Sequence, residues 1–252
     1  MAGRIFVGTS GYVYRDWRGV FYPKGLAGKD WLEHYARSFR TLELNATFYR
    51  LPSHDTVRRW RDQTPPDFLF AAKGSRFLTH MKRLTDAALG LTRYYERALL
   101  LGDKLGVVLW QLPPQMTKAD VGRLDAFLSA QPKGLRQAVE FRHEAWYTRE
   151  VADCLDRRGA AFCEHDLVAL RVPRRTGGFR YIRFHGSRPM ERKYHGRYGA
   201  ARLRPVAQDL ERGRARGEDA FVYFNNDWHG AALYDARELS ELVGRRVEAA
   251  LP

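Results

Sequence analysis

Apolar runs of strand length recur along the chain with helix-length segments between them. They fall at residues 5–8, 42–48, 68–73 and 107–112, then at 138–142, 161–165, 181–185 and 221–225. Eight such units in 252 residues average about 31 each, the length of a parallel strand, a crossover helix and two loops. The pattern predicts an α/β chain folded as a single (β/α)8 TIM-type barrel domain over residues 1–252. Ser53 is placed to cap the helix carrying Val57 and Trp60, and Thr117 with Asp120 forms a capping box before Val121, Leu124 and Phe127. Gly159 closes the helix that contains Leu155. Residues 86–105, with Leu91, Tyr94, Tyr95, Ala98 and Leu101 at helical spacing, predict the longest helix, its aromatic pair in the core. Residues 235–250 predict the last helix. Only residues 167–178 separate the sixth and seventh strands, and they hold Pro173, Gly177 and Gly178, so the helix there is short or missing. Residues 11–29 form a long loop rich in Tyr, Trp and Gly, expected to cover one mouth of the barrel.

Strand parity then sorts the polar residues, since side chains alternate faces and the crossover helix covers the apolar one. In the second strand Leu42, Leu44, Ala46 and Phe48 share one face, leaving Glu43 and Asn45 on the other. In the fifth, Val139 and Phe141 oppose Glu140 and Arg142. In the seventh, Ile182 and Phe184 oppose Arg183 and His185; in the eighth, Val222 and Phe224 oppose Tyr223, Asn225 and Asp227. Lys73 and Gln111 end the third and fourth strands. Glu43, Asn45, Lys73, Gln111, Glu140, Arg142, Arg183, His185 and Asn225 are therefore expected to line one pocket near the carboxyl ends of the strands, where barrel enzymes place their chemistry. Ionisable groups in a barrel interior need partners, and Glu43 and Glu140 have Lys73, Arg142 and Arg183 to choose from.

Composition adds a sign to this picture. The 43 Lys and Arg against 29 Asp and Glu give a formal charge of +14, which suits phosphate, nucleic acid or acidic partners, although 35 of the 43 are Arg and coding bias accounts for such an excess equally well. The loops expected after the seventh and eighth strands carry Gly186, Ser187, Arg188, Arg192, Lys193, Arg197 and Asn226, a set suited to an anion. Arg50, Lys73, Arg76 and Arg142 add charge, and Tyr12, Trp17, Tyr49 and Trp146 offer rings for bases. The leading expectation is a phosphate-containing ligand, a nucleotide or a nucleic acid, bound through Tyr12, Asn45, Arg50, Lys73, Arg76, Gln111, Arg142, Arg183, Arg188, Tyr198, Asn225, Asn226 and Asp227.

If the site is a hydrolase, Glu140 is the first choice for general base or metal-polarising group, with Glu43 and His185 beside it as catalytic candidates. Glu43, Glu140, His165, Asp166, His185 and Asp227 could contribute to a divalent metal site, but none has a spacing specific for ligation, so the cofactor stays open. A carbohydrate-active enzyme is the alternative, using Glu43 and Glu140 as acid and base with Trp17, Trp110, Trp146 and Trp228 as a sugar platform; Trp110 sits in an apolar strand and reads as core. If both glutamates are locked by arginine, neither can serve as general acid. A third reading is a non-catalytic protein for nucleic acid or an anion. The first ten residues lack a basic flank and apolar run, and no long apolar stretch follows, so neither secretion nor membrane spanning is expected. Cys154 and Cys163 read as free thiols of a reducing cytoplasm, and no obligate protein partner is implied.

The chain also resembles the YecE-like family, domain of unknown function 72. The likeness rests on VGTSGYVYRDW at residues 7–17 with Phe21, Tyr22 and Pro23, LELNATFYRLP at 42–52, and residues 70–73 followed by Arg76, Thr79 and His80. It continues through Gln111, Leu112, Pro113 and Pro114, then Glu140, Phe141, Arg142 and His143 with Trp146. Arg183, Phe184, His185 and Gly186, Tyr194 with Gly196, and Phe224, Asn225, Asn226 and Asp227 complete it. Tyr12 departs from the Trp more usual there. The resemblance implies a barrel similar to the metal-dependent apurinic endonucleases and sugar isomerases, and it implies no particular reaction.

Overall fold

The computed structural model describes residues 1–244. Among these residues nine strands form: β1 (Ile5–Thr9), β2 (Thr41–Leu44), β3 (Leu69–Lys73), β4 (Leu105–Gln111), β5 (Gln137–Glu140), β6 (Ala160–Phe162), β7 (Glu164–His165), β8 (Phe179–Phe184) and β9 (Asp219–Phe224). They pair in two sheets, β1-β9-β8-β7 and β2-β3-β4-β5-β6. Each register defined is parallel: β1 with β9, β3 with β4, β4 with β5, and β5 with β6. The sixth expected strand is thus two short ones, interrupted at Cys163.

Among the described residues eight α-helices form: α1 (Trp31–Ser38), α2 (Ala46–Tyr49), α3 (His54–Asp62), α4 (Ala88–Ala98), α5 (Val121–Ser129), α6 (Arg149–Arg157), α7 (Gly199–Ala215) and α8 (Ala231–Leu242). No helix lies between β7 and β8, as Pro173 and the glycine pair require. No helix among the described residues is long and apolar enough to cross a membrane.

Four local expectations need correction. The second strand stops at Leu44, because Asn45 adopts helical φ and ψ and Thr47 Oγ1 donates to Leu44 O and Lys73 O, so residues 46–49 turn into α2. Alternation therefore does not govern Asn45, Ala46 or Phe48. The stretch 86–105 is an 11-residue helix followed by a 3-10 segment through Gly102 at φ 57, and the longest helix is the 17-residue α7. Asp120, with no help from Thr117, caps α5 by accepting from Arg123 N. The last helix is α8, ending at Leu242; the end of the expected 235–250 helix lies outside the described residues.

The chain groups into two compact units. The first holds Met1–Glu43, Asp62–Leu69 and the chain from Ile182 onward, and the second holds Leu44–Arg61 with Phe70–Tyr181. In the first unit Phe6 stacks on Phe221 at 4.9 Å, and Tyr35 OH joins Thr9 to the Thr41 carbonyl. In the second, Trp110 and Trp146 are fully buried, their ring N–H groups donating to Gln137 Oε1 and Met116 O. Buried indoles need such acceptors, and these two bonds fix both rings as core.

Candidate functional site

In the first unit the polar residues converge where β8 and β9 end. Ser10 bridges Glu43 in parallel, and Gly11 N donates to Glu43 O, so the end of β1 holds the Glu43 backbone. Arg183 and Glu43 are both fully buried and paired at 2.7 Å. Arg183 Nη1 also lies 3.3 Å from His185 Nε2. A guanidinium only donates, so His185 Nε2 accepts, and the proton of a neutral ring sits on Nδ1. Thr41 Oγ1 meets Tyr223 OH at 2.6 Å beside this pair's strand.

The loop leaving β8 is clamped by Asp235, which reading of the sequence missed, together with Tyr198 and Asn226. Asp235, on α8, is fully buried and accepts from Tyr198 N, Gly199 N and Asn226 Nδ2. Burial pushes its carboxyl up, and those hydrogen bonds with nearby Arg197 pull it back. Asn226 also donates to Gly196 O, and Tyr198 OH accepts from Gly186 N at 2.8 Å. Gly186 is held at φ 125, and a Cβ there would stand 2.3 Å from His195 O, so only glycine fits. Asn226 and Tyr198 thus carry the loop's geometry. Asp235 has no signal in the sequence beyond being an acid on a helix's inner face.

Elsewhere in this unit, Trp17 is fully buried and donates from Nε1 to Asp227 O, tying the 11–29 loop to the end of β9. Burial, then neighbouring Asp16, raises Asp227 to about 6, against its own backbone N–H and His195. Asn225 is buried, Tyr12 is half-buried, and Arg188 is exposed in a surface pair with Glu191.

In the second unit a different group gathers at the ends of β3 and β5. Lys73 is buried, with Nζ 4.4 Å from the centre of the Phe48 ring. His80, on a π-helical turn over Phe77–Met81, packs edge-on against the same ring at 5.0 Å. Burial, followed by the charges of Lys73, Arg76 and Arg142, lowers His80 to about 4. Thr79 Oγ1 contacts His80 Nδ1 at 2.9 Å. Gly74 follows Lys73 because a Cβ would collide with the Trp110 ring at 2.1 Å. Arg142 pairs closely with fully buried Glu140, toward whose other oxygen Cys163 Sγ points at 3.9 Å. Gln111 is buried, Asn45 is half-buried with Oδ1 unpaired, and Arg50 and Arg76 are exposed.

Two readings of the sequence change on this geometry. Glu43 and Glu140 are each held by an arginine, so neither is placed as a general acid. Of the four tryptophans considered as a sugar platform, Trp17, Trp110 and Trp146 are buried and only Trp228 is exposed; Trp17 and Trp146 are likewise unable to stack on bases. Among the described residues no three His, Cys, Asp or Glu side chains gather as a metal site. Both cysteines are free and buried.

With this geometry in hand, likeness to other proteins is informative. A family profile described as "Protein of unknown function DUF72" matches residues 6–252. The UPF0759 protein YecE of Escherichia coli (strain K12) is 33% identical over 128 residues, 51% of this chain and 47% of that protein, so the match spans about half the relative's length. The UPF0759 protein YunF of Bacillus subtilis (strain 168) is 26% identical over 95% of this chain and 94% of its own. A DUF72 family crystal structure from Thermotoga maritima is 29% identical and superposes with a TM-score of 0.83, covering 95% of this chain and 99% of that one. Another, from Enterococcus faecalis V583, shares the fold at 17% identity with a TM-score of 0.80, covering 98% of each. The chain belongs to the DUF72 family, and its fold is the α/β fold with parallel sheets that these structures share.

Proposed function

We propose that the protein binds a phosphate-containing ligand, a nucleotide or a nucleic acid, through Lys73, Arg76, His80 and Arg142. The observation that carries this reading is the gathering of three cations around one half-buried imidazole, with Lys73 itself buried. Fully buried Glu140 pairs with Arg142, one of the three. Holding like charges beside one another with Lys73 buried is costly, and an anion with several acceptor oxygens is a partner that relieves the cost. His80 supports the same reading, because a bound phosphate would favour its protonated, donating form.

The arrangement also bears on the fold. We propose one closed (β/α)8 barrel forming a single domain, with the candidate residues at the carboxyl ends of its strands. In support, β2 to β6 neighbour one another in chain order, as do β7, β8 and β9, first and last strands pair in parallel, the Ser10–Glu43 bridge adjoins β1 to β2, and β6 and β7 are successive parts of one segment.

Calorimetric titration with inorganic phosphate and a nucleoside monophosphate at two salt concentrations tests the ligand reading. Binding that weakens with salt, and falls about 10-fold or more in Lys73→Met, supports it. Heat-silent mixing at low salt with a folded protein contradicts it. The carbohydrate alternative loses support from the arginine-locked glutamates and the buried tryptophans, and phosphoester hydrolysis is retained only as the activity to screen once a ligand is found.

A further inference from the structure

The cationic group in the second unit is bordered by exposed rings and by further cations without ion-pair partners. Tyr49 is 71% exposed and packs edge-on against Phe48 at 5.0 Å, the ring that Lys73 and His80 also contact. Phe77 and Met81, one turn apart on the segment that carries His80, are 41% and 67% exposed. Large apolar side chains turned to water beside buried charge have no packing role to explain them.

The cations continue in both directions. Arg50 follows Tyr49, Arg76 precedes Phe77, and Arg83 follows Met81 at φ 48, a strained value for arginine that turns the chain back. Arg83 also lines an open groove of about 680 Å³ with Gln115, Thr117, Lys118 and Arg123. Arg50, Arg76, Arg83 and Lys118 are exposed, and among the described residues none has an ion-pair partner. Lys82 and Arg123, on the same stretch, are paired with Asp86 and Asp120. Rings alternating with unpaired cations match a strand whose bases are unstacked from a complement and whose phosphates repeat at each step.

We propose that this face is a track for single-stranded nucleic acid, with bases stacked on Tyr49 and Phe77 and phosphates passing Arg50, Arg76, Arg83 and Lys118. The proposal rests on the phosphate reading above and extends it from one anion to a polymer. A duplex fits less well, since its bases are closed to side-chain rings and the rings here would face only backbone.

Fluorescence anisotropy with a labelled oligothymidylate of about 15 nucleotides tests the track, alongside a duplex of equal length and competition by inorganic phosphate. The oligothymidylate is expected to bind at least about 100-fold more tightly than inorganic phosphate. Tyr49→Ala and Phe77→Ala each weaken it by about 10-fold, while Leu170→Ala, at an exposed loop position that is not one of the proposed contacts, leaves it unchanged. Arg83→Ala and Lys118→Ala each lower the salt slope by about 1. Both ring positions are exposed, so their variants should keep the wild-type melting temperature. Oligothymidylate binding no tighter than phosphate, indifference to both ring variants, or tighter binding of the duplex would overturn the track and leave the single-anion reading standing. Ring-dependent binding of oligothymidylate in a protein that does not bind phosphate, and whose affinity survives Lys73→Met, would overturn the phosphate site and leave the track.

Discussion

Arg183 Nη2 donates to Glu43 Oε1 at 2.7 Å, and neither side chain is exposed to solvent. Such a pair costs desolvation on both sides, so it adds little net stability, yet removing one partner strands the other charge. Glu43→Gln should therefore destabilise the protein by about 3–5 kcal/mol, and the double variant Glu43→Gln with Arg183→Met should recover much of that loss. Urea denaturation of the four proteins measures the coupling. Equal stability of Glu43→Gln and wild type would mean that the pair is dispensable to the fold.

Asp235 is expected to act through the loop rather than on a ligand. Asp235→Ala leaves the N–H groups of Tyr198 and Gly199 without their acceptor and the amide of Asn226 with Gly196 O alone, at a cost of about 2–4 kcal/mol. The loss should centre on residues 186–199, so limited proteolysis should cut there first in the variant. A wild-type digestion pattern would contradict the clamp.

Asp227 ties stability to pH. Its folded value, about 6, stands above its unfolded value, so folding takes up a proton between about pH 4 and pH 6. The stabilising contribution is present below the unfolded value and is lost as pH rises through 6. At neutrality the charged carboxylate costs roughly 2–3 kcal/mol, with burial the main cause. Asp227→Asn should raise the melting temperature at pH 7.5 and make no difference at pH 4. A variant no more stable at either pH would remove burial as the governing influence.

Much of this arrangement was legible in the sequence, for reasons visible at particular residues. Glu43, Glu140 and Arg183 alternate with Leu42, Leu44, Val139 and Ile182 inside true strands, where a period of two holds, and all three are buried. Asn45 and Phe48 were misplaced because a hydroxyl, Thr47 Oγ1, ends the strand by capturing two carbonyls, a tertiary event with no periodic trace. Trp17 and Trp146 were read as stacking surfaces because an aromatic residue in a loop looks exposed until its N–H acceptor is known. His80 lies in an irregular turn where parity says nothing, and only the convergence of Lys73, Arg76 and Arg142 marks it.

Glu140 lends itself to a two-sided test. Its pairing with Arg142 leaves it a restraint on that cation, so Glu140→Gln should release positive charge toward the ligand and strengthen phosphate binding by several-fold at low salt. It should also lower stability, measurable in the same preparation by thermal unfolding. Weaker binding in a folded variant would show that the carboxylate itself contacts the ligand.

The most direct test of the phosphate site is the titration of His80 followed by NMR, with and without inorganic phosphate. In the free protein burial and three neighbouring cations hold the imidazole near 4. A phosphate seated among Lys73, Arg76 and Arg142 reverses the local field, so saturating phosphate should move the His80 midpoint upward by about 1–2 units. A His80 midpoint unchanged by phosphate, in a protein whose free-state value is near 4, would contradict the account.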